Sequence, residues 1–227
     1  MPGIGARLAE SFYQQSTEEV ARQLLGMILV HETEPGILAG RIVECEMYQG
    51  PEDRGAHSYG GVPTPRTEVM YGDPGRAYVY MIYGMYFCLN VVTAERGTPH
   101  AILIRALEPM LGMDAMLRRQ PPSKNPPRRT RIAAGPGKLC RAMGITREQY
   151  GHPLWQKPLY LAQPDSPWPP YRIARGARIN IDYAGEAAAF PWRFWVHENP
   201  SVSVRPRDYI TLESPRRTVP EPDGMIQ

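Results

Sequence analysis

Along the first fifty residues the apolar positions change from a helical to a two-residue period. Ser16-Thr17-Glu18-Glu19 stands before an apolar-periodic run, with Ser16 as N-cap and Glu19 three residues on. This capping box predicts a helix to Leu25 that stops at Gly26. Met27 to Val30 reads as a strand, Pro35-Gly36 as a turn, and Ile37 to Tyr48 as a second strand. Strand alternation puts Glu44, Glu46 and Tyr48 on one face and Val43, Cys45 and Met47 on the other. Gln49 to Pro65, rich in Gly, Pro, Asp and His, is a structured loop, and Tyr71-Gly72-Asp73-Pro74-Gly75 a turn. Ala77 to Val92 is β-rich and aromatic with one glycine near its middle, which predicts a hairpin with Tyr83-Gly84 at its tip.

The second half is less regular. Ala101 to Leu107 reads as a strand, Pro109 to Arg119 as a helix, and Gln120 to Ala133 as a Pro/Arg-rich loop. Gly135-Pro136-Gly137-Lys138 opens a helix through Met143, residues 151–171 read mostly as loop, and Ile173 to Asp182 and Trp192 to Val196 as late strands. These elements predict one α+β domain over residues 1–212. It would have a curved, largely antiparallel β-sheet flanked by helices and a protruding β-hairpin, followed by a flexible tail over 213–227.

Composition narrows the class. Of 227 residues, 42% are hydrophobic and 22% charged, which excludes wholesale disorder. The 25 prolines, about 11% against a usual ~5%, favour loops and short elements over a long helical bundle. Cys45, Cys88 and Cys140 are odd in number and widely spaced, without a CxxC. That argues against a disulfide framework or a zinc site and suits a reducing cytosol. The five histidines are far apart, so no metal is expected. Met1 to Glu10 lacks a basic and apolar leader pattern, and the longest apolar stretch, Tyr78 to Val92, is too short for a membrane helix. The expectation is a cytoplasmic, nucleoid-associated monomer with no membrane contact and no cofactor.

Charge placement says more than the net +3. Arg118 to Arg147 holds nine basic residues and no acid, so the remainder is −6, an asymmetry that points to a polyanion partner; a merely solvated Arg-rich loop would look alike. Gly135-Pro136-Gly137-Lys138, a glycine-rich helix N-terminus, reads as a phosphate site or an ordinary turn into a helix. Glu46 ends a strand beside a loop, where desolvation would make it a base for water; Glu44 reads as an exposed strand-face carboxylate. His57 is a lone loop histidine, more simply structural. The tyrosines at 78, 80, 83 and 86 could form a two-sided core strand. A tyrosine at a hairpin tip is better explained by insertion into something, and stacked bases suit it. Basic residues for phosphates, aromatics for bases and a nearby carboxylate point to an enzyme acting on a base taken out of the stack.

Here the sequence resembles the alkyladenine (3-methyladenine) DNA glycosylase family. The resemblance lies in 41–53 (RIVECEMYQGPED), His57-Ser58, Thr64-Pro65-Arg66, 78–90 (YVYMIYGMYFCLN), 103–109 (LIRALEP) and 135–140 (GPGKLC), covering roughly residues 10–205. It implies a glycosylase of base excision repair acting on duplex DNA with damaged purines: 3-methyladenine, 7-methylguanine, hypoxanthine or ethenoadenine. In that resemblance Glu46 is the general base and Arg105 holds the water and a neighbouring phosphate. Tyr48, His57 and Tyr80 wall the base pocket, with the His57 backbone reading the purine edge, and Asn90 excludes guanine by its 2-amino group. Tyr83 intercalates, and Met85, Cys88 and Leu103 shape hairpin and pocket. Arg66, Arg128, Arg129 and Lys138 are the phosphate-binding candidates. Met47 stands where a smaller residue is expected. No lysine adjoins the Glu46 or tyrosine segments in sequence, which disfavours a Schiff-base lyase step. The alternatives are a non-catalytic module for damaged or single-stranded nucleic acid, and a mostly helical helix-hairpin-helix glycosylase.

Overall fold

The computed structural model describes residues 3–122 and 127–213. Lys124, within the basic segment, and residues 214–227 lie outside them. Among the described residues nine strands form one sheet, with every pairing between them antiparallel. Its central strand is the second, β2 (Gly36–Gln49), after α1 (Thr17–Leu24) and β1 (Ile28–Thr33). The predicted cap is present: Ser16 Oγ accepts from the Glu19 N–H at 3.4 Å. Val20, Ala21 and Leu24 of α1 pack into the core on the face carrying Val43, Cys45 and Met47. Met47 thus points away from the glutamate face, so its size does not set the width of anything there.

β2 is long enough to hold three neighbours. Its first half pairs with β1, and Glu44–Glu46 pair with β8 (Arg193–Val196). Its other edge pairs with β5 (His100–Leu111). On that edge the register runs Ile42↔Leu107, Glu44↔Ala106, Cys45↔Ile104. Val43 is therefore an extra residue in β2 and Arg105 an extra residue in β5. These two bulges compensate each other and re-aim the Arg105 side chain, and a third shift, between Ala39 and Gly40, leaves Met110 as an extra residue in β5.

β3 (Ala77–Ile82) and β4 (Tyr86–Thr93) form the expected hairpin, with Ile82 opposite Tyr86 and Tyr83-Gly84-Met85 at the tip; β4 then pairs with β5. Tyr83 takes φ 54°, a left-handed conformation a tyrosine adopts only at a cost. It is 74% exposed.

Four elements depart from the sequence reading. Pro109 to Leu111 continue β5, because Leu111 and Pro109 face Ala39 and Gly40 of β2; the helix is only α2 (Met113–Arg118), begun after Gly112 at φ 77°. A Cβ on Gly112 would lie 2.5 Å from Leu38, so glycine makes that corner. Within the proline-rich 151–171, Leu159–Ala162 form β6 on the free edge of β1, a pairing that outweighs composition. The late strand β7 (Arg172–Gly176) stops short of the predicted Asp182. Ile210–Glu213 pair with β7 as β9, so Glu213 is strand and not tail. α3 (Pro136–Met143) starts where expected. A nine-stranded sheet with short helices also rules out the helix-hairpin-helix alternative. No helix among the described residues is long and apolar enough to cross a membrane.

Candidate active site

The hairpin, the start of α3, the end of β2 and the segment after β7 enclose a cavity of about 450 Å³. That is the size range of a small-molecule site. Tyr48, His57, Tyr80, Tyr83, Asn90, Leu103, Arg105 and Lys138 all line it, as does Cys88. Sequence positions 48 to 138 are thus gathered round one opening.

Its wall is aromatic. His57 packs edge-on to Tyr80 with centroids 4.5 Å apart, and Tyr80 lies 5.3 Å from Tyr78. Arg66 is exposed and stacks over Tyr80 at 5.0 Å. Its Nη2 is 3.4 Å from His57 Nε2. A guanidinium only donates, which assigns the ring proton to Nδ1, donating to Tyr78 Oη at 2.8 Å. Burial of the ring, with the Arg66 charge adding to it, pulls His57 down to about 4. The ring should therefore stay neutral across roughly pH 5–8. An NMR titration of the imidazole carbons tests this: no midpoint is expected in that range, and a midpoint near the ordinary 6.5 would refute it. An unfolded chain binds this proton near 6.5 and the folded one only near 4. The residue's contribution to stability is therefore full above that window and lost as pH falls through it. Asn90 is buried, its amide donating to the Tyr78 carbonyl at 3.0 Å.

Glu46 lies behind this wall, fully buried. Its Oε2 accepts from Arg105 Nη1 at 3.1 Å and Tyr48 Oη at 2.9 Å, and its Oε1 from the Ile179 N–H at 2.8 Å. All three donors belong to cavity-lining residues. Tyr48 is held as a phenol, because burial and the Glu46 charge push its hydroxyl far up. The alternation that put Glu44, Glu46 and Tyr48 on one face holds, but Glu44 is not exposed. It is fully buried, facing Arg105 and Arg193, because β8 and the chain near Ser203 cover that end of β2. Its burial raises the carboxyl, and the two guanidiniums with the Ser203 donors outweigh that, holding it below the ordinary value.

Two further expectations are corrected. Lys138, remote in sequence, is brought to the cavity by α3, so lysine is not absent from the site. Met85 is 65% exposed and lines not the main cavity but an adjoining one of about 310 Å³, which shares Tyr86, Gly137 and Arg141 with it. Arg128 and Arg129 are exposed and do not line the main cavity. Sequence reading missed Arg178 and the segment Ile179–Tyr183. Arg178 is buried, paired with Asp53 at 2.8 Å, and its guanidinium lies 4.6 Å over the Tyr48 ring and 5.0 Å over Trp192. It backs the Tyr48 wall and anchors the segment carrying the Ile179 N–H. Only its place just past β7 signals it, and the strand predicted there concealed it.

An aromatic-walled cavity of about 450 Å³, with a buried carboxylate and guanidinium at its back, defines an enzyme site with room for a planar aromatic group. Residues 11–200 match the model of the methylpurine-DNA glycosylase family. Relatives from Bacillus cereus (strain G9842) and Bacillus anthracis (strain CDC 684 / NRRL 3495) are 49% and 50% identical over 200 residues, 86% of this chain and 98% of each relative. Both carry the name "Putative 3-methyladenine DNA glycosylase". The chain belongs to the methylpurine-DNA glycosylase family. It is a DNA glycosylase, a hydrolase of N-glycosyl bonds.

Proposed function

We propose that this glycosylase flips damaged purines (3-methyladenine, 7-methylguanine, hypoxanthine and ethenoadenine) out of duplex DNA and hydrolyses the N-glycosidic bond with a water activated by Glu46, leaving an abasic site. The observation that carries the reading is the Glu46 carboxylate buried behind the cavity, in contact with Arg105, Tyr48 and Ile179. A carboxylate offers about four acceptor positions. Three are taken, which leaves one on Oε1 for a water. Glu46 takes a proton from that water as its oxygen attacks C1′, where positive charge has developed as the purine departs, and Arg105 holds the water and the adjoining phosphate.

In the same reading Tyr83 enters the gap left by the flipped nucleotide. Its exposure and its strained backbone at the hairpin tip suit that task. Met85 follows it from the far side of the tip. The extruded base stacks among Tyr48, His57 and Tyr80, its edge read by the His57 backbone. Asn90 and Leu103 limit its shape, with Asn90 against a 2-amino group. Arg66, Arg128, Arg129 and Lys138 hold phosphates. Lys138 is exposed, without the apolar burial that activates an amine as nucleophile, which supports a monofunctional reaction.

The test uses duplex DNA with one hypoxanthine, and a second duplex treated with a methylating agent. Base release followed by alkali-dependent strand cleavage is expected, with no covalent adduct on borohydride reduction. A trapped adduct would overturn the monofunctional reading, and absence of release from both duplexes would overturn the proposed substrates.

A further inference from the structure

Behind the cavity sits one buried carboxylate that the reaction above does not use. Glu44 accepts from Arg105 Nε and Arg193 Nε, each at 2.9 Å, from Ser203 Oγ at 2.8 Å, and from the Ser203 N–H at 2.6 Å. Arg193 is 1% exposed, and its other hydrogen bond goes to the Val204 carbonyl. Two guanidiniums and two carboxylates are thus enclosed together and balance in charge. Arg105 turns its Nε to Glu44 and only Nη1 to Glu46, so Glu46 meets one N–H and not the two-pronged fork an arginine offers a free carboxylate. The bulge at Arg105 makes this split possible. The groups around the two carboxylates are Arg105 from β5, Arg193 from β8, Cys45 and Tyr48 from β2, Cys88 from β4, Ser203 from the segment after β8, and Ile179 N from the segment after β7.

We propose that Glu44 is a positioning residue for base excision. By neutralising Arg193 and occupying Arg105 Nε, it leaves Glu46 with an electron pair free for water. The inference rests on Glu46 being the base. Without the Glu44 charge, two buried guanidiniums would share Glu46 alone. In a medium of low dielectric the uncompensated cation draws on the remaining carboxylate and competes for the electron pair that the water needs.

The experiment compares Glu44→Gln, Glu44→Gln with Arg193→Gln, and Glu46→Gln on the hypoxanthine duplex, measuring single-turnover release together with DNA affinity. In Glu44→Gln the rate is expected to fall roughly 10²-fold, with affinity unchanged. The double variant restores charge balance, and its rate should return to within about 10-fold of wild type. A purely structural role would leave the double variant as slow as the single or slower, and that result overturns the inference. So does an unchanged rate in Glu44→Gln beside an inactive Glu46→Gln. If Glu46→Gln keeps its rate, the base assignment itself fails and this inference with it. Should Glu44→Gln fail to fold by circular dichroism, the double variant decides by the same criterion.

Discussion

Glu46→Gln is expected to slow single-turnover release of hypoxanthine by roughly 10²–10⁴-fold, the range that a positioned general base contributes. Affinity for the damaged duplex should not change. Glutamine keeps the size of the side chain and an oxygen to accept from the Ile179 N–H; its amide nitrogen cannot accept from Arg105 Nη1, but Arg105 stays paired with Glu44 at 2.9 Å. The Ile179 segment therefore stays anchored, and what is lost is the negative charge that, in the proposed reaction, takes a proton from water. Binding and chemistry should separate because Glu46 is buried and does not line the cavity, whereas the groups proposed to meet the base and phosphates are others. Rate and affinity measured on the same duplex check this. Release within tenfold of wild type would remove Glu46 from the reaction, whereas loss of both rate and affinity would make it a structural residue.

The second large effect is on stability. Arg178→Ala is expected to destabilise the fold by about 3–5 kcal/mol, because it strands a buried carboxylate. The Asp53 and Arg178 side chains are both 0% exposed. Asp53 keeps only its bonds from the Gly55 and Gln49 N–H groups, and the Met47 and Ala187 carbonyls lose a donor. For a chain of this size the midpoint of thermal unfolding should drop by roughly 10 °C. Excision should slow as well, since Tyr48 loses the plate behind its ring and the 177–181 segment loses its anchor. Calorimetry or circular dichroism reads the first effect. A midpoint within 2 °C of wild type, a shift of about 1 kcal/mol or less, would show that the pair carries little.

Much of the site was readable because it is local. A two-residue period placed Glu44, Glu46 and Tyr48 on one face, and a tyrosine-glycine tip between β-formers placed Tyr83 at the exposed end of a hairpin. The capping box at Ser16 and the glycine-proline start of α3 needed only neighbouring residues. Each such feature is decided by backbone preference and side-chain direction within a few positions. The family motifs added which of these residues to connect.

What the sequence could not determine was what covers each face. Glu44 looked exposed because nothing near it in the chain shows that β8 pairs beside it or that Ser203 closes over it. Arg178 looked like part of a strand, and its partner Asp53 lies in a loop far earlier in the chain. Lys138 seemed remote from the chemistry until α3 packed against the hairpin, where a Cβ on Gly137 would lie 3.0 Å from Tyr86. β6 and β9 came from free sheet edges that proline-rich or polar segments happened to reach. The sequence by itself determined the faces of its strands, the tip of its hairpin and the residue types of a base-handling site. Only the tertiary structure decided which charges were buried together, because ion pairing and burial depend on distances between segments that local periodicity does not encode.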